Sequence, residues 1–255
     1  MQQSNGYILR YTARLTVGCA LILALVSLVL KSKQEENVLL QIKKNILATV
    51  TTLDEKSNVT DIYGKRVKSY IVDANGDVVK GMKPEGQSSS FVADQYKKPV
   101  NERQLPVYEI MNEADSTKSD YFVLPVYGYG LWNNISGYVA IEGDLNTIKG
   151  VKFSHVGETP GLGARIADDE IQSRYVGKQI FDGQEVASVV MQKGENGGGN
   201  ASIAAYKDNA HAVDGMSGAT ITGKGVNNML QEYFKGCYKN FFLARRTGNK
   251  QASIN

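Results

Sequence analysis

Asp214-Gly215-Met216-Ser217-Gly218-Ala219-Thr220-Ile221-Thr222 is a run of mostly small residues that feeds an amphipathic segment. Beyond it, Val226, Met229, Leu230, Tyr233, Cys237 and Phe241 recur at three- and four-residue steps, which predicts a helix with one apolar face. Ala201 to Tyr206, just upstream, is short and partly alternating and predicts a strand. The local plan is therefore strand, glycine-bearing turn, helix. A helix that starts straight after such a turn aims unpaired N–H groups and the positive end of its dipole at the turn, a natural seat for a phosphate. Ser217, Thr220 and Thr222 supply hydroxyls around it. Ser and Thr are also the usual helix N-caps, so spacing alone leaves both readings open and favours the cap.

The chain has 255 residues, room for one large or two modest domains with a substantial core. Its 29 Lys and Arg are interleaved with 26 Asp and Glu, so the small net charge of +3 gives no basic patch and points away from nucleic acid. The two cysteines, Cys19 and Cys237, fall in an apolar run and on the expected helix face. One cysteine per region cannot hold an iron–sulfur cluster or a structural zinc, and a disulfide between the two is not expected.

Leu15 to Leu30 is apolar apart from small residues and is bounded by Arg14 and Lys31. No A-x-A-like cleavage site follows it, which favours an uncleaved transmembrane anchor over a secretory signal. Arg10 and Arg14 on one side balance Lys31 and Lys33 on the other, so charge leaves the orientation open. From Glu35 to Val50, the residues Val38, Leu39, Ile42, Ile46 and Val50 share a face, and the helix is expected to continue as a stalk packed on its own domain or on a partner.

Asn75-Gly76 between Tyr70-Ile71-Val72 and Val78-Val79 signals a hairpin. The stretch from Lys83 to Gln104 reads as a surface excursion with little regular structure. Strands are expected at Val107–Met111, Tyr121–Tyr127, Gly137–Glu142, Thr147–His155 and Val186–Met191, with a short helix from about Asp168 to Tyr175. The fold class is α+β: one N-terminal transmembrane helix, then a mainly antiparallel sheet with helices packed on it.

Three further stretches are candidates for a site. Tyr127-Gly128-Tyr129-Gly130-Leu131-Trp132 alternates glycines with large side chains in an expected loop, which could lay Leu131 and Trp132 against a flat ligand or simply bury them. Glu158-Thr159-Pro160-Gly161-Leu162-Gly163 is a tight turn able to present Glu158 and Thr159. The glycine-rich run Gly194 to Asn200 has neither Rossmann nor Walker spacing and reads as a flexible hairpin connection. His155 and His211 form no ligand pair. His211, Asp214 and Ser217 recur every third residue, yet they sit too close on one turn to converge as a hydrolase triad.

The run Ser217-Gly218-Ala219-Thr220, with Asp214 before and Thr222 after, resembles the flavinylation sequence of the FMN-binding domain family. The Y-G-x-G-L-W and E-T-P-G-L-G runs resemble that family's two cofactor-lining turns. The resemblance covers most of the chain and implies that a flavin transferase joins FMN through its phosphate to Thr220. It implies that Asp214, Ser217, Gly218 and Ala219 form the acceptor turn, with Asp214 orienting it or binding a metal during transfer. It also places Leu131, Trp132, Glu158, Thr159, Gly161 and Leu162 beside the flavin ring, with Lys193 close by.

Such a protein is expected to be a single-pass flavoprotein of the bacterial inner membrane with its C-terminal domain extracytoplasmic. It would relay electrons from an iron–sulfur centre to a second flavin, both on neighbouring subunits, within a sodium-pumping NADH:quinone reductase. The G subunit of an Rnf-type ferredoxin:NAD+ oxidoreductase is the nearest alternative, and a non-redox membrane-anchored binding module another. The length between anchor and Val107 favours the sodium pump. Residues 1–33 are read as tail and anchor, 34–106 as stalk, hairpin and excursion, 107–244 as the FMN-binding domain, and 245–255 as a polar tail.

Overall fold

The computed structural model describes residues 4–54, 57–88 and 90–246. Helix α1 runs without a break over Asn5–Ala48, as the join of apolar run and stalk predicts. The chain divides into two units, residues 1–42 and 43–255. The first is helical, and Leu21, Ile22, Leu23, Leu25, Leu28 and Val29 are exposed around it. A helix apolar on all sides belongs in a membrane or a large core, and this is the one helix among the described residues long and apolar enough to span a bilayer. In the second unit, Ile46 and Leu47 are buried and the Thr49 carbonyl presses on Gly150, so the end of α1 packs on its own domain.

After α1 come helix α2 (Val59–Arg66), strand β1 (Val67–Val72) and the short helix α3 (Phe91–Tyr96). Four long strands follow: β2 (Leu105–Met111), β3 (Ser119–Tyr129), β4 (Asn134–Glu142) and β5 (Ile148–His155). The five strands pair antiparallel in the order β1-β2-β3-β4-β5, with Tyr70 opposite Val107 and Val123 opposite Ala140. Every residue of β2 is buried, so both faces of the sheet are covered there. Beyond the sheet lie α4 (Asp169–Ser173), the small hairpin β6 (Phe181–Asp182) with β7 (Glu185–Val186), β8 (Val190–Met191), α5 (Gly199–Ala205) and β9 (Ala212–Val213). The C-terminal layer is α6 (Thr220–Glu232), a π-helical turn over Tyr233–Cys237 and α7 (Lys239–Arg246).

The apolar face read from Val226, Met229, Leu230, Tyr233, Cys237 and Phe241 is buried throughout, in one core with Phe122, Leu124, Val126 and Val139 of the sheet. The α+β layering is as expected, and several local expectations are corrected. Ala201–Ala205 is helical, with Tyr206 at its C-cap: with four of the six residues Ala or Ser, the stretch has too little β-branched or aromatic character to hold a strand. The strand that leads into the Asp214–Thr220 turn is instead β9. Tyr127 to Tyr129 extend β3, leaving only a four-residue turn, 130–133, to carry Leu131 and Trp132.

Val186–Met191 breaks into two short pieces around Ser188, whose φ is 128°. The glycine-rich run is not a hairpin connection, because the strand it leaves, β8, pairs parallel with β9 across α5. The excursion after Lys83 contains α3 and is pinned by Arg103, which donates to the Tyr96 and Lys98 carbonyls and pairs with Glu232 at 2.5 Å. The division at 106/107 cuts the sheet, since β1 is its edge strand. Arg245 is not tail: within α7 it reaches the Tyr70 hydroxyl at 2.8 Å and pairs with Glu109 at 3.3 Å. The remainder of the expected tail, 247–255, lies outside the described residues.

Candidate functional site

Three turns meet at the start of α6. The first is 130–133, between β3 and β4, closed by the Gly130 N–H donating to the Asn133 carbonyl at 2.9 Å. The second is 156–162, which Pro160 and the positive φ of Gly161 (74°) fold back so that the Leu162 and Ala164 amides both donate to the Thr159 carbonyl. The third is 214–219, which leaves β9 and enters α6 at Thr220.

Glu158 ties them together. It is buried, and its Oε1 accepts the Trp132 N–H at 2.9 Å while Oε2 accepts the Thr222 hydroxyl at 2.5 Å. Burial pushes this carboxyl up, but the hydrogen bonds from the Thr222 hydroxyl and the 131–133 amides outweigh it and hold Glu158 below its ordinary range. Gly163 lets the junction close: a Cβ there would lie 2.5 Å from both Glu158 Oε2 and Thr222 Oγ1. His155 serves the same turn, its Nδ1 accepting the Glu158 N–H at 3.3 Å.

The three hydroxyls at this turn and helix start, Ser217, Thr220 and Thr222, are now distinguishable. Thr222 is 1% exposed and spent on Glu158. Ser217 is exposed, and Thr220 is half-buried at the first position of α6. The capping reading does not hold: the N-cap is Ala219, and no side chain caps this helix. Leu162 lies against Gly218, so the second and third turns touch. Around the start of α6, Leu131 (45%), Trp132 (69%), Leu162 (42%) and Ile221 (57%) are exposed apolar side chains, whereas Thr159 and Lys193 are exposed polar ones. An uncapped helix start with a free threonine hydroxyl, flanked by solvent-facing apolar groups, fits a phosphate joined to a flat aromatic system.

On its other side the turn is bound tightly. Asp214 is buried, and both its oxygens are taken by Asn196, through the backbone N–H at 2.7 Å and Nδ2 at 2.8 Å. Burial raises the Asp214 carboxyl, and the hydrogen bonds it accepts more than offset this and leave it lowered. Gly215 must be glycine, because a Cβ would sit 2.0 Å from the Gln192 carbonyl and 2.3 Å from that of Gly194. Arg165, Arg174, Glu170 and Glu195 complete this side. None of these four stood out in the sequence, where Glu195 is hidden in a glycine-rich run and its partners lie 21 and 30 positions away.

Three turns gathered at an uncapped helix start on an antiparallel sheet, in a chain that also carries a helix long and apolar enough to cross a membrane, define an α+β domain with a candidate binding site. The FMN-binding domain family matches residues 130–235, which include all three turns. Among curated proteins, the C subunit of the Na(+)-translocating NADH-quinone reductase of Haemophilus ducreyi is 34% identical over 86% of this chain and 86% of its own. That of Pseudomonas aeruginosa is 33% identical over 84% and 88%. The crystal structure of the same subunit from Parabacteroides distasonis superposes with a TM-score of 0.66 at 30% identity, covering 83% of this chain and 94% of that one. The Shewanella oneidensis NqrC gives 0.64 at 28% identity, covering 82% and 97%. The chain belongs to this NqrC family, the C subunits of the Na(+)-translocating NADH-quinone reductase, and so to the components of a translocase complex.

Proposed function

We infer that this chain is a membrane-anchored electron-relay subunit of a sodium-translocating NADH:quinone reductase, carrying FMN as a phosphoester on Thr220. The observation that carries the reading is that Thr220 alone, among the three hydroxyls of the turn, is half-buried at the helix start and uncommitted, beside exposed Leu131, Trp132 and Leu162. Thr220 Oγ1 would form a bond to phosphorus of a flavin dinucleotide bound to a flavin transferase. The pyrophosphate P–O bond would break, a nucleoside monophosphate would leave, and the hydroxyl proton would pass to a base on the transferase. Bound there, FMN supplies one- and two-electron chemistry that the polypeptide lacks.

The chain's own part is to hold and place. The uncapped N–H groups of α6 and the helix dipole stabilise the phosphoester charge. Leu131, Trp132 and Leu162 offer surface for the ring, while Glu158 fixes the turns that bear them. Lys193, exposed near the turn, would add positive charge. Electrons would enter from an iron–sulfur centre and leave to a second flavin, both on neighbouring subunits. Tethering suits a domain on the extracytoplasmic side of the inner membrane, where a dissociated flavin would be lost. In-gel flavin fluorescence of the denatured chain, co-expressed with a flavin transferase, tests this reading. The expected result is a signal lost in Thr220→Val and retained in Ser217→Ala; an unchanged signal in Thr220→Val would place the acceptor elsewhere.

A further inference from the structure

The loop 192–199, glycine-rich and without a motif of its own, supplies the most highly charged contact of the acceptor turn. Arg165 grips the Glu195 carboxylate with both terminal nitrogens, Nη1 to Oε2 and Nη2 to Oε1, each at 2.8 Å. Arg174 Nη2 adds a third bond to Oε1 at 2.7 Å, and the Ser217 N–H donates to Oε2 at 3.1 Å. Arg174 is fully buried and spends Nη1 on the Gly215 carbonyl at 2.5 Å and the Asp214 carbonyl at 3.4 Å. Its Nη2 also meets Glu170, whose Oε1 accepts the Gly199 N–H at 2.6 Å.

Two guanidiniums thus face two carboxylates, Glu170 and Glu195, while the Asp214 carboxylate is held by Asn196. The terminal nitrogens of both guanidiniums are taken by these carboxylates and by backbone carbonyls, so their positive charge is already matched and this side of the turn is a poor seat for an anion. What the network does hold is backbone: the carbonyls of 214 and 215 and the amide of 217, the residues that lead to Thr220.

We propose that Glu195 is a positioning residue for the modification of Thr220: fixed by Arg165 and Arg174, it locks the Ser217 amide and so presents the Thr220 hydroxyl in one conformation to the flavin-transferring enzyme. This rests on Thr220 being the acceptor. An acceptor turn already in its docking conformation loses no further backbone freedom on binding. If the competent conformer is only a fraction of the population, apparent affinity falls by that fraction. Loosening the turn therefore raises KM for the chain as acceptor and leaves kcat alone.

The test uses the full chain in detergent, purified without flavin, with a flavin transferase and flavin dinucleotide. Glu195→Ala should raise the acceptor KM about tenfold or more with kcat within about twofold. Glu195→Gln, which keeps an acceptor for the Ser217 N–H but loses the ionic fork, should fall between. Amide exchange at Ser217 and Gly218 in the unmodified chain should quicken about tenfold in Glu195→Ala, with β3 and β4 unchanged. An unchanged KM, or faster modification, overturns the proposal, because the enzyme then takes an opened turn. Unchanged exchange overturns it too, since Glu195 then locks nothing. Should Glu195→Ala not fold, Glu195→Gln decides on the same criteria. If wild-type chain gains no flavin on Thr220, the acceptor assignment fails instead, and the exchange measurement still tests whether Glu195 locks the turn.

Discussion

The two sides of the turn 214–219 are built from opposite materials. On one, Glu170, Glu195, Arg165 and Arg174 pair as ions, Asp214 is held by Asn196, and the network grips backbone groups, leaving Arg174 1% exposed at its side chain. On the other, Leu131, Trp132, Leu162 and Ile221 face solvent and are anchored only from beneath, through Glu158. On the polar side the carboxylates and the guanidinium tips are already partnered, whereas the apolar side leaves surface that a bound group would cover. The contrast teaches that position and recognition are separated here: one side sets where Thr220 is, and the other sets what lies beside it.

Substitutions should divide along the same line. The largest loss is expected for Gly215→Ala, whose methyl would collide with two backbone carbonyls that cannot give way. A destabilisation of about 3 kcal/mol in urea unfolding is expected, and wild-type stability would mean the polar side is looser than described.

Acid should act on that side next. The Arg165 fork, with help from Arg174 and Ser217, holds the Glu195 carboxyl at about 2, against burial, which pushes it up. Because this folded-state value is depressed, its stabilisation is complete above about pH 4.5 and is lost as pH falls toward 2, on the order of 2–3 kcal/mol. The lowered carboxyls of Glu158 and Asp214 add in the same direction. Glu195→Gln should flatten the acid limb of a stability-against-pH curve, and an unchanged limb would contradict the clamp.

Glu158→Ala, which strands the Trp132 amide and the Thr222 hydroxyl, should cost about 2 kcal/mol by the same unfolding assay. It should also alter the environment of Trp132, visible in its fluorescence. The smallest effect is expected for Trp132→Ala, within about 0.5 kcal/mol, because the side chain is mostly exposed. In protein carrying flavin, the same change should shift flavin fluorescence, and a large stability loss instead would mark Trp132 as core.

Periodicity made the α1 helix, the buried face of α6 and the four long strands legible, since in each a repeat of the chain matches a repeat of the structure. It failed where local pattern is weak. Ala201–Tyr206 offers small residues that suit helix or strand, and Val186–Met191 looks continuous until Ser188 breaks it. At the site, the turns were readable because glycine and proline announce them. The partnerships were not: Glu158 with Thr222 spans 64 positions and Glu195 with Arg165 spans 30, and no local rule links such distant charges and hydroxyls. Residue type and spacing do not separate Thr222 from Thr220; the family resemblance does, and the burial of the Thr222 hydroxyl on Glu158 gives a physical reason for it.

The most direct test is the intact mass of the chain purified from membranes that contain the flavin transferase, followed by peptide mapping. The expected result is a mass greater by one FMN less one water, with the increment on Thr220. The bare polypeptide mass, or an increment on Thr222 or any other residue, would contradict it.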